Sequence, residues 1–362
     1  MTMPIMDAMS RQLTDPWMLG PLEVPNRVLL APLAGIGNWF VRLQAKRYGA
    51  GMAVSEMVSS HAIHHNNERT CNEMLRIHPD ERTIGTGGPI SIQLFGEDPA
   101  VMRSAAARVA AAGADVIDIN MGCPVPKVQK TGAGAALLAD PDRAVAVACA
   151  VREGGGLPVT VKLRSGRRLG ETSGFELAHR LVAEAGVAAI GFHPRSAAVH
   201  HKGVPDYQLA ARLVDSLDAP VILTGGLSEA EHIREAFQQT GAAAVMLARG
   251  ALGNPWLFEQ LLGSRHQGPS REEVLQELGW TIDRAVEHLG QARATRYLRK
   301  FYPWYVSRLE LDRQAGKRLQ EGLQVAETLT EARNLLAILL RSLKPLGDET
   351  PRLQAGLCYS PT

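Results

Sequence analysis

Eight short apolar, largely β-branched runs recur along most of the chain, at 27–34, 52–58, 89–95, 115–121, 158–164, 187–193, 220–225 and 244–249. Such runs suit strands buried on both faces, which occur in parallel sheets covered by helices. Alanine-rich segments with helix-start signals lie between most of them: Asp98-Pro99 precedes 100–112, Asp140-Pro141 precedes 142–153, and Ser228 precedes 229–239. Eight alternations of strand and helix predict an α/β fold, a closed (β/α)8 barrel of the TIM type.

One unit breaks the rhythm. Residues 59–88 hold histidines, asparagines and Gly85-Thr86-Gly87-Gly88 instead of an amphipathic helix, and loop structure is expected there. His61, His64 and His65 have metal-like spacing, but no carboxylate or cysteine partner is evident in the sequence. They are read as solvated or substrate-facing imidazoles, with no metal expected.

After Pro255-Trp256-Leu257-Phe258 the pattern becomes purely helical through Leu343, with a charged linker near 264–273. The predicted organisation is a barrel over 1–262, a smaller all-helical domain over 263–345 and a flexible tail over 346–362. A length of 362 residues accommodates this, since such a barrel takes about 250 residues.

Composition excludes several classes. With 45% hydrophobic residues, 35 glycines and 5% aromatics, the chain is neither disordered nor fibrous. Four cysteines without CxxC spacing argue against a zinc site, a cluster or a disulfide framework and suit a reducing cytoplasm. The first 20 residues include Asp7, Arg11 and Asp15 without a signal-peptide core, and nowhere do 18 apolar residues run together. A soluble, unexported protein is expected, with no membrane contact and no obligate protein partner evident.

The net charge of +2 does not announce a nucleic-acid binder. Locally, however, Arg293, Arg296, Arg299, Lys300, Arg308, Arg313, Lys317 and Arg318 stand against Glu310 and Asp312, interleaved with Tyr297, Phe301, Tyr302, Trp304 and Tyr305. Two readings fit: a solvated helix face whose aromatics pack inward, or a surface that meets phosphates.

Active sites of barrels lie at the carboxyl ends of the strands, and the loops after strands seven and eight often grip a phosphate. Here those loops are Thr224-Gly225-Gly226 and Ala248-Arg249-Gly250. Glycine lets the backbone approach an anion, and Arg249 offers a charged pair. Polar residues also interrupt apolar runs at Gln93, Asn120, Lys162, His193 and Arg195. They are placed at carboxyl ends, as a polar ring system would require.

The fourth run ends in Asp118-Ile119-Asn120-Met121-Gly122-Cys123-Pro124, followed by Lys127, Lys130 and the glycine-rich Thr131-Gly132-Ala133-Gly134-Ala135-Ala136-Leu137-Leu138. A lone cysteine is more often an inert core residue than a catalyst. The run from Asn120 through Leu138, however, resembles the signature of the tRNA-dihydrouridine synthases, flavoenzymes that reduce a uracil base in tRNA. The resemblance extends in order from Ala31-Pro32-Leu33-Ala34-Gly35 to the helical tail. There Tyr297-Leu298-Arg299-Lys300-Phe301-Tyr302 is similar to a basic and aromatic family segment, with Phe301 where histidine is more usual.

The resemblance implies FMN as cofactor and NADPH, or NADH, as reductant. It makes Pro32, Leu33 and Ala34 the cradle of the flavin ring, Gln93 a ring hydrogen-bond partner and Lys162 a cation beside the ring's pyrimidine end, where it would stabilise the anionic reduced flavin. His193, Thr224, Gly225, Gly226, Ala248 and Arg249 would complete the cofactor site. Cys123 would be the catalytic acid, since an ordinary thiol of pKa about 8.5 is protonated at neutral pH. Asn120, Lys127, Lys130 and Arg195 would contact tRNA, and so would Arg296, Arg299 and Lys300 in the tail, through phosphates.

Some positions depart from the family pattern. Thr224 replaces a usual asparagine and Gly226 an acidic residue, while the usual His-Gly-Arg-Thr-Arg reads His193-Pro194-Arg195-Ser196-Ala197. Val199 and His201 stand where glutamine and an aromatic are common. Two alternatives remain open: a free-pyrimidine flavoenzyme of the dihydroorotate dehydrogenase type, which the basic tail disfavours, and a tRNA-binding barrel without turnover, which Cys123, Lys162 and His193 disfavour.

Overall fold

The computed structural model describes residues 11–342. Eight strands close a parallel barrel: β1 (Val28–Leu30), β2 (Met52–Ser59), β3 (Ile90–Phe95), β4 (Val116–Met121), β5 (Val159–Arg164), β6 (Ala189–His193), β7 (Val221–Thr224) and β8 (Ala244–Leu247). Neighbours follow chain order, and β8 returns to pair with β1 through Val245 and Val28. Every expected run is a strand, most of them trimmed at the ends.

Side chains alternate across each strand, so every second residue enters the barrel. The interior rows are Val116, Asp118 and Asn120 on β4, Thr160 and Lys162 on β5, and Ala189, Gly191 and His193 on β6, and the register aligns Asp118 with Thr160 and Asn120 with Lys162. The lowest layer is apolar, and it is sealed by an antiparallel hairpin (Trp17–Leu19 with Leu22–Val24) that the apolar periodicity does not announce. Its Trp17, Leu19 and Val24 pack with Leu29, Met52, Val116, Ala189, Ile222 and Ala244. Trp17 Nε1 donates to the Asn26 carbonyl at 3.0 Å, so the indole's polar edge is also satisfied.

Two of the three start signals act as read. Asp98 caps the helix Pro99–Ala111, accepting from the amides of Ala100 at 2.8 Å and Val101 at 3.1 Å. Asp140 caps Pro141–Gly155 through the Arg143 amide at 3.1 Å. Ser228 does not cap: the helix Ala230–Thr240 begins after Glu229 without a side-chain bond.

Residues 59–88 are not loop throughout. Ser60–His64 forms a short helix, Thr70–Met74 a π turn and Asp80–Thr83 one more helical turn. Tertiary bonds hold the last of these turns: the buried Arg42 grips Glu81 at 2.7 and 2.9 Å and also reaches the Arg76 carbonyl at 2.9 Å.

The chain divides into two compact units between Pro269 and Ser270, beyond the expected boundary at 262. Residues 264–267 fold back on the helix Trp256–Leu261 and its first following residues: the Ser264 amide meets the Glu259 carbonyl at 3.0 Å, and Arg265 pairs with Glu259 at 2.8 Å. The expected linker is correspondingly shorter, since a helix over Arg271–Leu289 starts at a capping box formed by Ser270 and Glu273. The second unit continues with helices Gln291–Leu298, Tyr302–Val306, Arg313–Val325 and Leu329–Ser342. Leu278, Ile282, Leu298, Phe301, Tyr302 and Tyr305 are buried in it. The expected tail over 346–362 lies outside the described residues. Among the described residues, no helix is long and apolar enough to cross a membrane.

Candidate active site

The polar residues of the barrel interior are joined by hydrogen bonds. Asp118, 3% exposed, accepts from Thr160 Oγ1 at 2.6 Å and from Gln93 Nε2 at 2.5 Å. Gln93 Oε1 accepts from Asn120 Nδ2 at 2.9 Å. Asn120 Oδ1 in turn accepts the main-chain amides of Gly122 at 3.2 Å and Cys123 at 2.9 Å. One chain of bonds therefore runs from the middle of β4 to the loop carrying the cysteine. Burial raises the Asp118 carboxyl to about 6, although both hydrogen bonds and Lys162 favour its ionised form.

Cys123 is neither fully buried nor fully open, and its own carbonyl is held by the Ala135 amide at 3.1 Å. Arg164, at the end of β5 and 3% exposed, fixes the loop from the other side. Its Nε donates to the Gly122 carbonyl at 3.0 Å, and its Nη1 donates to the carbonyls of Ser196 at 3.0 Å and His200 at 2.7 Å. The loops after β4 and β6 thus share one guanidinium.

Lys162 lies near both Asp118 and the cysteine, whose charges would raise it, but burial and then Arg164 prevail and lower it to about 8. Room for its stem comes from β6: a Cβ at Gly191 would sit 3.4 Å from Lys162 Cγ. His193 is held well below its ordinary value by burial and by Lys162, Arg164, Arg195 and His201, so it is a neutral imidazole at pH 7. The His201 ring stacks 6.4 Å away and is lowered to about 4, chiefly by burial.

The glycines of the β7 loop have a packing reason. Gly225 and Gly226 adopt φ of +99° and +79°. A Cβ on Gly225 would lie 2.3 Å from the His193 ring, and one on Gly226 2.8 Å from Pro205 and 3.0 Å from the Tyr207 hydroxyl. An acidic side chain at 226 has no space, which accounts for that departure from the pattern. Tyr207 OH instead ties the loop by donating to the Gly225 carbonyl at 3.1 Å. Gly250 allows the β8 loop to press on the β7 loop, with a would-be Cβ 2.6 Å from the Leu227 carbonyl. Ala197 is buried, its amide on the Gly166 carbonyl at 2.8 Å.

The expected site residues divide accordingly. Gln93, Asn120, Cys123, Lys162, His193, Arg195 and Gly225 are linked by bonds, charge or contact. Gln93 and Lys162 occupy the middle of their strands, not the ends, and reach the site because they belong to inward rows. Pro32 is partly buried and Ala34 exposed, but the Leu33 side chain is 7% exposed and its carbonyl is taken by the amides of Ile36 and Gly37. Thr224 is buried, Ala248 half-buried and Arg249 exposed. Lys127 and Lys130 stand exposed at the short helix Pro126–Gln129 after the cysteine. His61 does have a carboxylate neighbour, Glu97 at 3.3 Å, which sequence separation hides. Among the described residues, no group of three or more histidine, cysteine or acidic side chains has metal-binding geometry. Sequence reasoning misses Asp118, Thr160 and Arg164 as site residues, because their partners lie on other strands and loops.

Residues 29–342 match the Dihydrouridine synthase (Dus) family. The chain belongs to the dihydrouridine synthase family. It is 34% identical over 301 residues to tRNA-dihydrouridine synthase B of Pseudomonas aeruginosa, covering 80% of this chain and 87% of that protein. It is 35% identical over 327 residues to a probable tRNA-dihydrouridine synthase 1 of Synechocystis, covering 89% and 88%. Among solved structures, morphinone reductase superposes with a TM-score of 0.52 at 18% identity over 71% of this chain and 91% of that one. An old yellow enzyme homologue from Zymomonas mobilis gives 0.54 at 15% identity over 72% and 95%. These two share the fold.

The residues present fit the FMN that a dihydrouridine synthase implies. Arg195 donates through Nη2 to the Gly203 carbonyl at 2.7 Å, yet its buried Nε and the buried Ser196 hydroxyl have no hydrogen-bond partner among the described residues. Such orphaned donors call for an acceptor. Lys162, Arg164 and Arg195 all act on His193 as cations, which suits a phosphate dianion.

The second unit divides its basic residues. Arg293, Arg296 and Lys300 are exposed, Lys300 lying 4.9 Å above the Tyr297 ring. Arg299 is half-buried and donates to the Ala326 carbonyl at 3.3 Å, while its own carbonyl accepts from Gln324. Phe301, Tyr302 and Tyr305 pack inward.

Proposed function

We propose that the protein reduces the C5–C6 double bond of uridine in tRNA to 5,6-dihydrouridine, with NADPH or NADH as reductant and Cys123 as the acid. The observation that carries this reading is the placement of Cys123. A thiol stands on a loop latched by Asn120 and Arg164, beside Lys162, above the hydrogen-bonded series of Asp118, Gln93 and Asn120.

FMN, when bound, supplies hydride to the base. The chain's residues do the rest. Gly225, Gly226, Ala248, Arg249, His193, Arg195 and Thr224 hold the phosphate end, with neutral His193 donating through one ring nitrogen. Gln93 and the backbone of Pro32, Leu33 and Ala34 would hold the ring, and Lys162 would supply a cation beside it. The Cys123 thiol gives its proton to C5 while Asn120 orients the pyrimidine edge.

Stacked RNA hides the base, so the uridine is splayed out into the barrel mouth. Lys127 and Lys130, and Arg296 and Lys300 in the second unit, receive phosphates. Arg299 supports that surface from within. The enzyme works in the cytoplasm on tRNA. Incubation with NADPH and unmodified tRNA, followed by mapping of dihydrouridine, tests the reading. Dihydrouridine at defined positions is expected, and a colourless protein that cannot be reconstituted with FMN overturns it.

A further inference from the structure

We propose that Asp118 is a positioning residue: it sets the donor–acceptor polarity of the Gln93–Asn120 chain and thereby latches the loop that carries Cys123. The consequence for proton donation rests on the function proposed above; the latch itself does not.

An ionised carboxylate can only accept hydrogen bonds, whereas an amide side chain can present either end. Asp118 Oδ2 faces the Gln93 amide at 2.5 Å, so Gln93 must offer its nitrogen there. Its oxygen then faces Asn120, which must donate through Nδ2 at 2.9 Å. That leaves Asn120 Oδ1, and not its nitrogen, opposite the amides of Gly122 and Cys123. Each amide is oriented by the one before it, and the series begins at the only member that has no choice. If the polarity were reversed, Asn120 would turn an NH2 group toward two N–H groups, and the loop would lose both bonds.

The other neighbours of the chain leave its direction open. Ser55 Oγ accepts from the Gln93 main-chain amide at 3.0 Å, which holds the strand and not the side chain. Thr160 supplies a hydroxyl that can either donate or accept. Besides its hydrogen-bond partners, the charged group acting on Asp118 is Lys162, from β5. Its cation favours the ionised carboxylate, so the group beside the cysteine and the group that starts the chain support each other.

The test uses full-length holoprotein and reads alkylation of Cys123 by iodoacetamide, mapped by mass spectrometry against Cys71 and Cys149. Asp118→Asn leaves both polarities open, and the Cys123 rate is expected to rise about threefold or more, since two comparably populated states leave the loop unlatched for much of the time. The Asp118→Asn/Gln93→Glu double variant moves the obligate acceptor one step along. The carboxylate then at position 93 accepts both from the new amide at position 118 and from Asn120, and the rate returns to within about twofold of wild type. In tRNA turnover, Asp118→Asn lowers kcat and leaves the KM for tRNA unchanged, because the loop and not the RNA surface is disturbed.

An unchanged Cys123 rate in a folded, FMN-bearing Asp118→Asn protein overturns the proposal, as does a double variant no better than the single. Should the single variant fail to fold, the double decides: recovery of fold and wild-type alkylation supports the latch, and continued unfolding overturns it. A protein that alkylates as expected but never reduces tRNA rejects the proposed function and leaves the latch standing.

Discussion

Arg164 Nε donates to the carbonyl of Gly122 at 3.0 Å, so the residue just before Cys123 is tied to the end of the next barrel strand. Replacing Arg164 with methionine keeps the stem and removes three donated bonds, those to Gly122 and Ser196 buried and that to His200 partly buried. A loss of about 2–4 kcal/mol is expected, the range for stranding several partners of a buried charge. Denaturant unfolding measures it, and a loss within error would show that water replaces the guanidinium.

Cys123→Ala should leave NADPH-driven flavin reduction within about twofold of wild type while tRNA reduction falls by the roughly 100-fold or more attributed to a general acid. Cys123→Ser should behave like alanine, because a hydroxyl is a far weaker acid. Single-turnover kinetics of the two half-reactions separates the cases: near-normal turnover by serine would move the proton to another group.

The purified protein should be yellow and release FMN on denaturation. Arg249 is exposed and lacks a salt-bridge partner among the described residues, so Arg249→Ala should weaken FMN retention by roughly the 1.5–3 kcal/mol of a charged hydrogen bond. Equilibrium dialysis against FMN reads this directly, and equal affinity would remove Arg249 from the site.

Burial, reinforced by Lys162, Arg164 and Arg195, holds His193 below its ordinary value of 6.5. The folded state therefore binds a proton there less readily than the unfolded chain. Its contribution to stability is complete above pH 6.5 and shrinks as the pH falls, by at most about 1.4 kcal/mol per unit. Asp118, raised from 3.8 to about 6, acts in the opposite sense over the interval between those values. His193→Gln retains Asp118, so on acidification from pH 6.5 its unfolding free energy should fall less steeply than that of wild type. Parallel stability curves would place a charged imidazole in the native state.

In the second unit, reversing Arg296 and Lys300 to glutamate should weaken tRNA binding and flatten its salt dependence, by about 0.7–0.9 in log–log slope for each phosphate no longer neutralised. Arg299→Ala should instead cost about 1 kcal/mol of stability through its bond to the Ala326 carbonyl. Filter binding across a salt series distinguishes the two, and an unchanged slope would return the exposed cations to an ordinary solvated face.

The barrel is legible in the sequence because Val116, Ile117 and Ile119, like their counterparts on other strands, are buried on both faces and read as continuous apolar runs. The helical turn Asp80–Thr83 is not, since Arg42 and Glu81, 39 residues apart, hold it instead of local periodicity. Cys123, Gln93, Asn120 and Lys162 are legible through a family-typical order of residue types along the chain. Asp118 passes as one polar residue within an apolar run, because its meaning depends on Gln93 and Thr160, 25 and 42 positions away. Arg164 escapes for the same reason, its partners being carbonyls that leave no mark in a sequence.

The hairpin around Trp17, Leu19 and Val24 shuts the floor of the barrel, and that has a kinetic corollary. With its base packed shut, the barrel can be approached only from the mouth at the carboxyl ends of the strands, so a nicotinamide and a splayed uracil that both use that mouth would take turns at it. Initial rates measured against one reactant at several fixed levels of the other should then give parallel double-reciprocal lines, each visitor leaving before the next is admitted.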